Sequence, residues 1–170
     1  VVKNIDQLFT LPHLTGVSPY DGLPGYDDQV FPNAGFWVLE PAPGLAEAIL
    51  ACWPDVLKRK GTVNDQMLLY HYYHDRWTSS RDWNLPNQYN AFAYLLDDLA
   101  RHNDYNLNID EPNEKTFAIL HFVTRHRPWL MSTSELVVYF ARKTLRGKWM
   151  ELKAVRWYLR LLKKVKSRQY

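Results

Sequence analysis

The sequence predicts an α/β fold from three observations. Two apolar, aromatic runs, residues 35–39 and 117–122, have the length and composition of buried strands. Helical spacing of apolar residues fills 44–60 and continues towards Tyr73 between them. A third helical stretch follows the second run, from Ser134 onward. In a chain of 170 residues that is 46% hydrophobic and 15% aromatic, this alternation predicts one globular domain with a short mixed sheet, helices and enough apolar mass for a core.

Residues 4–9 have the composition of a short helical turn. Residues 10–30 contain Pro12, Gly16, Pro19, Gly22, Pro24 and Gly25 and predict a long loop, of a length that inside a domain is usually functional. The strand at 35–39 is stopped by Glu40-Pro41. Leu45, Ile49, Cys52 or Trp53, Val56 and Leu57 keep helical spacing, interrupted by Pro54. Thr62-x-x-Asp65 has the form of a capping box, opening a helix that runs through Tyr73. Residues 81–94 mix turn formers with aromatics, and 106–115 are polar with Pro112 ending regular structure. Beyond Ser134, Leu145, Trp149, Leu152, Val155, Leu159 and Leu162 fall on one face of a helix. No internal repeat or low-complexity segment interrupts this order.

The net charge of +3 hides a division. Residues 142–170 hold 11 Lys and Arg against Glu151 alone, a balance of +10, whereas residues 1–141 hold 10 against 17 Asp and Glu, a balance of −7. The basic tail, 134–170, is therefore set apart from a body, 1–133, whose acidity argues against a generic nucleic-acid binder. Lys163, Lys164, Lys166 and Arg168, with Trp149, Trp157 and Tyr158 interleaved upstream, fit an anionic membrane surface; a solvated helix end is the plain alternative. No apolar run of about 18 residues is present to span a bilayer and the amino terminus is not signal-like, so the expected location is cytoplasmic, peripheral at the inner face of a membrane. The single cysteine, Cys52, excludes an internal disulfide and reads as a small packed residue.

The chemistry concentrates in three places. His121 ends the apolar run at 117–122, where a rigid strand can aim an imidazole at a metal, and Arg127 follows with a fork matched to phosphate. Taken alone, these are equally a satisfied histidine at a strand end and a surface arginine. Asp65 and Gln66 stand at a helix start, where a carboxylate and an amide can face sugar hydroxyls, or where Asp65 merely completes the capping box. Asn33-Ala34-Gly35 precedes a strand and lets a ligand lie close to backbone, or makes a plain turn. His71 and His74, an i, i+3 pair beside Asp75, lack a third ligand at motif spacing and read as a half-exposed helix.

Five segments in order carry a resemblance to one family. They are residues 2–9, residues 31–38 around Phe31-Pro32-Asn33-Ala34-Gly35, Asn64-Asp65-Gln66-Met67-Leu68, Leu85-Pro86-Asn87-Gln88-Tyr89-Asn90, and His121 to Trp129 with its closing Arg127-Pro128-Trp129. Together they resemble, in register, the sugar-facing motifs of glycosyltransferase family 8, the glycogenin and lipopolysaccharide galactosyltransferase family. The resemblance covers residues 2–129. Arg127 replaces the family's usual lysine, Thr124 its usual glycine, and Pro32 a common aromatic.

The resemblance implies the carboxy-terminal portion of a nucleotide-diphospho-sugar transferase domain of the glycosyltransferase A type. It implies retaining transfer of a hexose from a nucleotide diphosphate sugar, expected to be a UDP-hexose, to a hydroxyl of a glycan, lipopolysaccharide or glycolipid. It further implies Mn2+ or another divalent ion, with His121 as one ligand and an upstream D-x-D pair supplying others. Asp65 would hold the donor sugar, Gln66 would lie near the anomeric carbon, Thr124 and Arg127 would face the diphosphate, and Asn33, Ala34 and Gly35 the sugar. The family's nucleotide-binding half precedes residue 2, and no D-x-D occurs in residues 1–170, so the chain is expected to be an inactive fragment of the parent enzyme. Two other readings remain open: a non-catalytic sugar-binding remnant, and a peripheral membrane adaptor in which the tail dominates. Leu85-Pro86 with Tyr89-Asn90 reads as architectural, since no titratable group is present.

Overall fold

The computed structural model describes residues 1–26, 31–80, 82–123 and 127–167. They form two compact units, Ile5–Asn90 and Val1–Asn4 with Ala91–Tyr170. Both mix helices with a small sheet, in keeping with the α/β class. Where composition predicts one domain, the chain divides at Asn90/Ala91, and the charge boundary at 133/134 falls at the start of a helix inside the second unit.

In the unit spanning Ile5–Asn90, β1 (Thr15–Val17) is the central strand, flanked by β2 (Trp37–Val38) antiparallel and β3 (Asn84–Leu85) parallel. The long loop expected over 10–30 thus contains a strand, and all three of its residues are buried. Three residues between Pro12 and Pro19 are too few for alternation to appear in sequence. Gly16 is required there by packing: a Cβ would meet the Pro32 Cβ and the Trp77 ring, both at 3.0 Å. The expected turn near the start is a 3-10 turn, Asp6–Thr10.

Helices α1 (Leu45–Leu50) and α2 (Trp53–Lys60) replace the single interrupted helix, with Pro54 placed in the first turn of α2, where its missing N–H costs nothing. Cys52 lies at the junction, half-buried and unpaired by disulfide. Helix α3 (Asp65–Ser79) runs past Tyr73 because Trp77 repeats its spacing, and both rings enter a core with Leu14, Trp37 and Phe31. The capping box expected from Thr62 does not form. Asn64 is the N-cap, its side chain accepting from Met67 N–H at 2.9 Å, because a cap must directly precede the first helical residue.

The other unit pairs β4 (Ala91–Phe92) in parallel with β5 (Leu120–His121). The strand expected over 117–122 is therefore shorter; Phe117 and Ala118 are fully buried but take single backbone bonds from other segments, Phe117 N–H donating to the Asn106 carbonyl and Ala118 accepting from Val2 N–H. Helix α4 (Leu96–Asn103), unassigned from sequence, buries Leu96 and Leu99. Helix α5 (Thr133–Leu145) opens with a capping box of Ser132 and Glu135. Helix α6 (Trp149–Lys166) is capped from another element: Asp97 of α4 accepts from Met150 N–H at 2.8 Å and Glu151 N–H at 3.2 Å.

Between α5 and α6 the chain breaks at Gly147, whose φ of 65° favours glycine. The continuous stripe expected from Leu145 to Leu162 is split by this break. Leu145 is 88% and Trp149 60% exposed, whereas Leu152 and Val155 are buried against Tyr139, with Leu159, Phe122, Met131 and Phe140 packed around them. Glu151, the one acidic residue of 142–170, is buried and accepts from Tyr139 Oη at 2.5 Å and Lys143 Nζ at 2.7 Å, locking α5 to α6. Among the described residues no helix is long and apolar enough to cross a membrane.

Candidate functional site

Asn33 stands where the chain returns to the end of β1, its N–H donating to the Val17 carbonyl at 2.9 Å. Its side-chain Oδ1 accepts from Gly35 N–H at 2.9 Å and from Asn90 Nδ2 at 3.1 Å, and its Nδ2 donates to Gln66 Oε1 at 2.8 Å. The amide orientation follows from one group that cannot reverse: Gly35 N–H can only donate, so Asn33 must turn its oxygen there and its nitrogen to Gln66. Gln66 must in turn offer its oxygen, which also receives Ala34 N–H at 3.4 Å. The Gln66 NH2 is thereby directed away from Asn33.

Beside it, Asp65 is the first residue of α3 and exposed. Its Oδ1 accepts from Gln66 N–H at 2.8 Å. Asn64 is the cap and Asp65 Oδ1 takes a further first-turn N–H, so one carboxylate oxygen serves the helix start, and the helix N-terminus favours its charge by about 0.3–1 kcal/mol. The site thus sets an amide donor next to a carboxylate acceptor, on two consecutive residues in the first turn of a 15-residue helix.

Asn90 is the residue that sequence reasoning passed over. It is 1% exposed and orients Asn33 from the end of the segment read as architectural; the absence of a titratable group hid it, although a buried asparagine must find partners. The same segment fixes the loop before β2. Asn87 donates to the Asp21 carbonyl at 2.8 Å and Asn84 to the Asp21 carboxylate at 3.1 Å.

The other unit carries His121 and Arg127. His121 ends β5, half-buried, in register with Phe92, whose ring it meets edge-on at 5.4 Å. Burial pushes its pKa below the ordinary imidazole value, which favours the neutral, metal-ligating form. Arg127 is exposed and precedes a turn at Pro128–Leu130; Trp129 in that turn lies edge-on to Phe122. Thr124 lies outside the described residues. Among the described residues no group of three or more His, Cys, Asp or Glu could hold a metal ion, and His121 belongs to no such group. His71 and His74 likewise make no such group, and His74 Nδ1 is engaged by Asp75 Oδ1 at 2.9 Å.

No protein-family model, curated protein or solved structure matches the chain.

Proposed function

We propose that the chain carries the sugar-facing part of a retaining hexosyltransferase, one that moves a hexose from a nucleotide diphosphate sugar to a hydroxyl of a glycan or glycolipid. One observation carries the reading. Residues 33–35, 65–66 and 89–90, three of the segments that resemble the family 8 motifs, meet in the hydrogen-bonded node of Asn33, Gln66 and Asn90. Neither their spacing in the chain nor their hydrophobicity requires that meeting.

In this reading Asp65 Oδ2 accepts from one hydroxyl of the donor hexose and the Gln66 NH2 donates to its neighbour, placing the sugar against the backbone of Ala34 and Gly35. The node is fixed before the ligand arrives, which lowers the cost of orienting it. His121 would be one ligand of a divalent ion and Arg127 would steady the diphosphate by paired N–H donors. A bound ion of that kind neutralises charge on a departing diphosphate. The basic end of α6 would hold the enzyme at an anionic membrane carrying its acceptor.

The experiment is a turnover assay on the protein expressed from its whole reading frame, with UDP-hexoses, Mn2+ and the variants Asp65→Asn and His121→Ala. Each variant is expected to lose at least about a hundredfold in turnover, the scale of removing one preorganised polar group. Variants that match the parent overturn the reading. Hexose binding that depends on Asp65 without any transfer replaces it with the non-catalytic sugar-binding reading.

A further inference from the structure

Helices α2 and α3 flank an open cavity of about 560 Å3, within the range of small-molecule sites, roughly 300–1,000 Å3. Its floor is apolar, from Val56 and Met67, and its rim is cationic, from Arg59 and Lys60 in the last turn of α2. His71 and His74 of α3 complete the lining with two imidazoles.

His74 is held in place from two sides. Asp75 Oδ1 engages Nδ1 at 2.9 Å, and the Tyr70 ring meets the imidazole edge-on at 5.0 Å. Tyr70 is itself braced by Phe31 at 4.2 Å. With Nδ1 taken by the carboxylate, Nε2 is the nitrogen left for the cavity. Asp75 is the one acidic side chain in the lining, set against two permanent cations, so the cavity repels a metal ion and attracts an anion. Arg59 supplies a planar fork and Lys60 a point charge, the pair that suits tetrahedral oxyanions.

We propose that this cavity binds a phosphate monoester, the phosphate lying between Arg59, Lys60 and the His74 imidazole, and the ester's body resting on Val56, Met67 and Tyr70. The site does not rest on the sugar-transfer reading, since none of these side chains enters the Asn33–Gln66 node. A phosphorylated hexose and a nucleoside monophosphate share the recognised group.

The test is calorimetric titration of the chain with inorganic phosphate, a hexose 6-phosphate, uridine monophosphate and the unphosphorylated hexose. All three phosphates are expected to bind, the esters more tightly, and the neutral hexose not to compete with them. Preference between the two esters supports the site and names its source. The double variant Arg59→Gln/Lys60→Gln is expected to weaken ester binding by at least about tenfold. Lys58→Gln removes the same charge from the same helix but does not line the cavity, and is expected to bind like the parent. Circular dichroism checks that each variant keeps its helices. Absence of phosphate binding, equal loss in Lys58→Gln, or an unaffected double variant overturns the proposal. If this site fails while Asp65→Asn still abolishes turnover, the transfer reading stands; the converse result leaves only the phosphate site.

Discussion

Replacing Asn33 in two ways separates the stability of the node from its polarity. Asn33→Ala removes three side-chain hydrogen bonds, from Gly35 N–H, from Asn90 Nδ2 and to Gln66 Oε1. At about 1 kcal/mol net for each, and more where a partner is as buried as Asn90, the expected loss is about 3 kcal/mol. Asn33→Asp keeps the shape and both accepted bonds, but sets a carboxylate oxygen against Gln66 Oε1. Gln66 can relieve that clash by turning its amide, which gives up the 3.4 Å bond from Ala34 N–H, so the expected loss is about 1 kcal/mol. The turn leaves the Gln66 oxygen facing outward in place of its NH2, and the site loses its donor. Urea unfolding followed through the Ala34 and Gly35 amide signals measures the first quantity; turnover or hexose binding measures the second. Asn33→Asp should be more stable than Asn33→Ala and functionally as impaired. Equal destabilisation by both substitutions would refute the flip, and an Asn33→Ala cost under about 0.5 kcal/mol would refute the node itself.

Asn64→Ala should lower stability by about 1 kcal/mol through loss of the α3 cap, whereas Asp65→Asn should change the melting temperature little and turnover greatly; thermal melts beside rate measurements distinguish the two. Tyr139→Phe should cost about 1.5–3 kcal/mol because the hydroxyl donates to a buried carboxylate. Its pKa is raised, first by burial and then by the bond and charge of Glu151, so the stability it contributes is complete below the unfolded tyrosine pKa of about 10 and is lost as pH rises beyond it. Alkaline melts should therefore converge for parent and variant, and a gap that stays constant above pH of about 10 would contradict that origin. Ending the chain at Leu162 keeps the α6 residues that pack on Tyr139 but removes Lys163, Lys164, Lys166 and Arg168; co-sedimentation with anionic vesicles should weaken by roughly 1 kcal/mol per cation and vanish at high salt, and undiminished binding would assign the attraction elsewhere.

What was legible in the sequence is the set of polar motifs and the longer helices. Asn33 and Gln66 stand out in the sequence only as polar residues before a strand and at a helix start; their meeting does not, because a hydrogen bond between residues 33 and 66 leaves no periodic trace. Helix α3 was visible from its spacing, yet its first residue was misassigned: Thr62 and Asn64 are both good caps, and only the backbone geometry decides between them. Strand β1 was hidden since its three residues draw their stability from partners at 37–38 and 84–85. The tail stripe was misread for a different reason. Spacings of three and four residues continue unchanged across Gly147, but one left-handed glycine redirects the axis, so residues of the same apparent face end up buried at Leu152 and exposed at Leu145. Leu152, Val155 and Leu159 are committed to packing on α5, whereas Leu161 and Val165, nearest the terminal lysines, are exposed.

The polarity of the node has a further consequence for selectivity. Gly35 N–H, Asn33 and Gln66 form a relay in which each group fixes the next, and the relay turns the Gln66 NH2 away from Asn33, on the residue that follows Asp65. A donor and an anionic acceptor on consecutive residues match two neighbouring hydroxyls, one accepting and one donating, as a hexose ring presents them. A phosphate in the same place would gain one donor and face one carboxylate, so the repulsion opposes the bond. The cavity between α2 and α3 has the reverse arrangement, two cations and two imidazoles against one carboxylate already engaged by His74. In the proposed readings the Asp65–Gln66 pair takes neutral polyols and the cavity between α2 and α3 takes phosphorylated ligands, and exchanging Asp65 for asparagine should relax that discrimination at the first without altering the second.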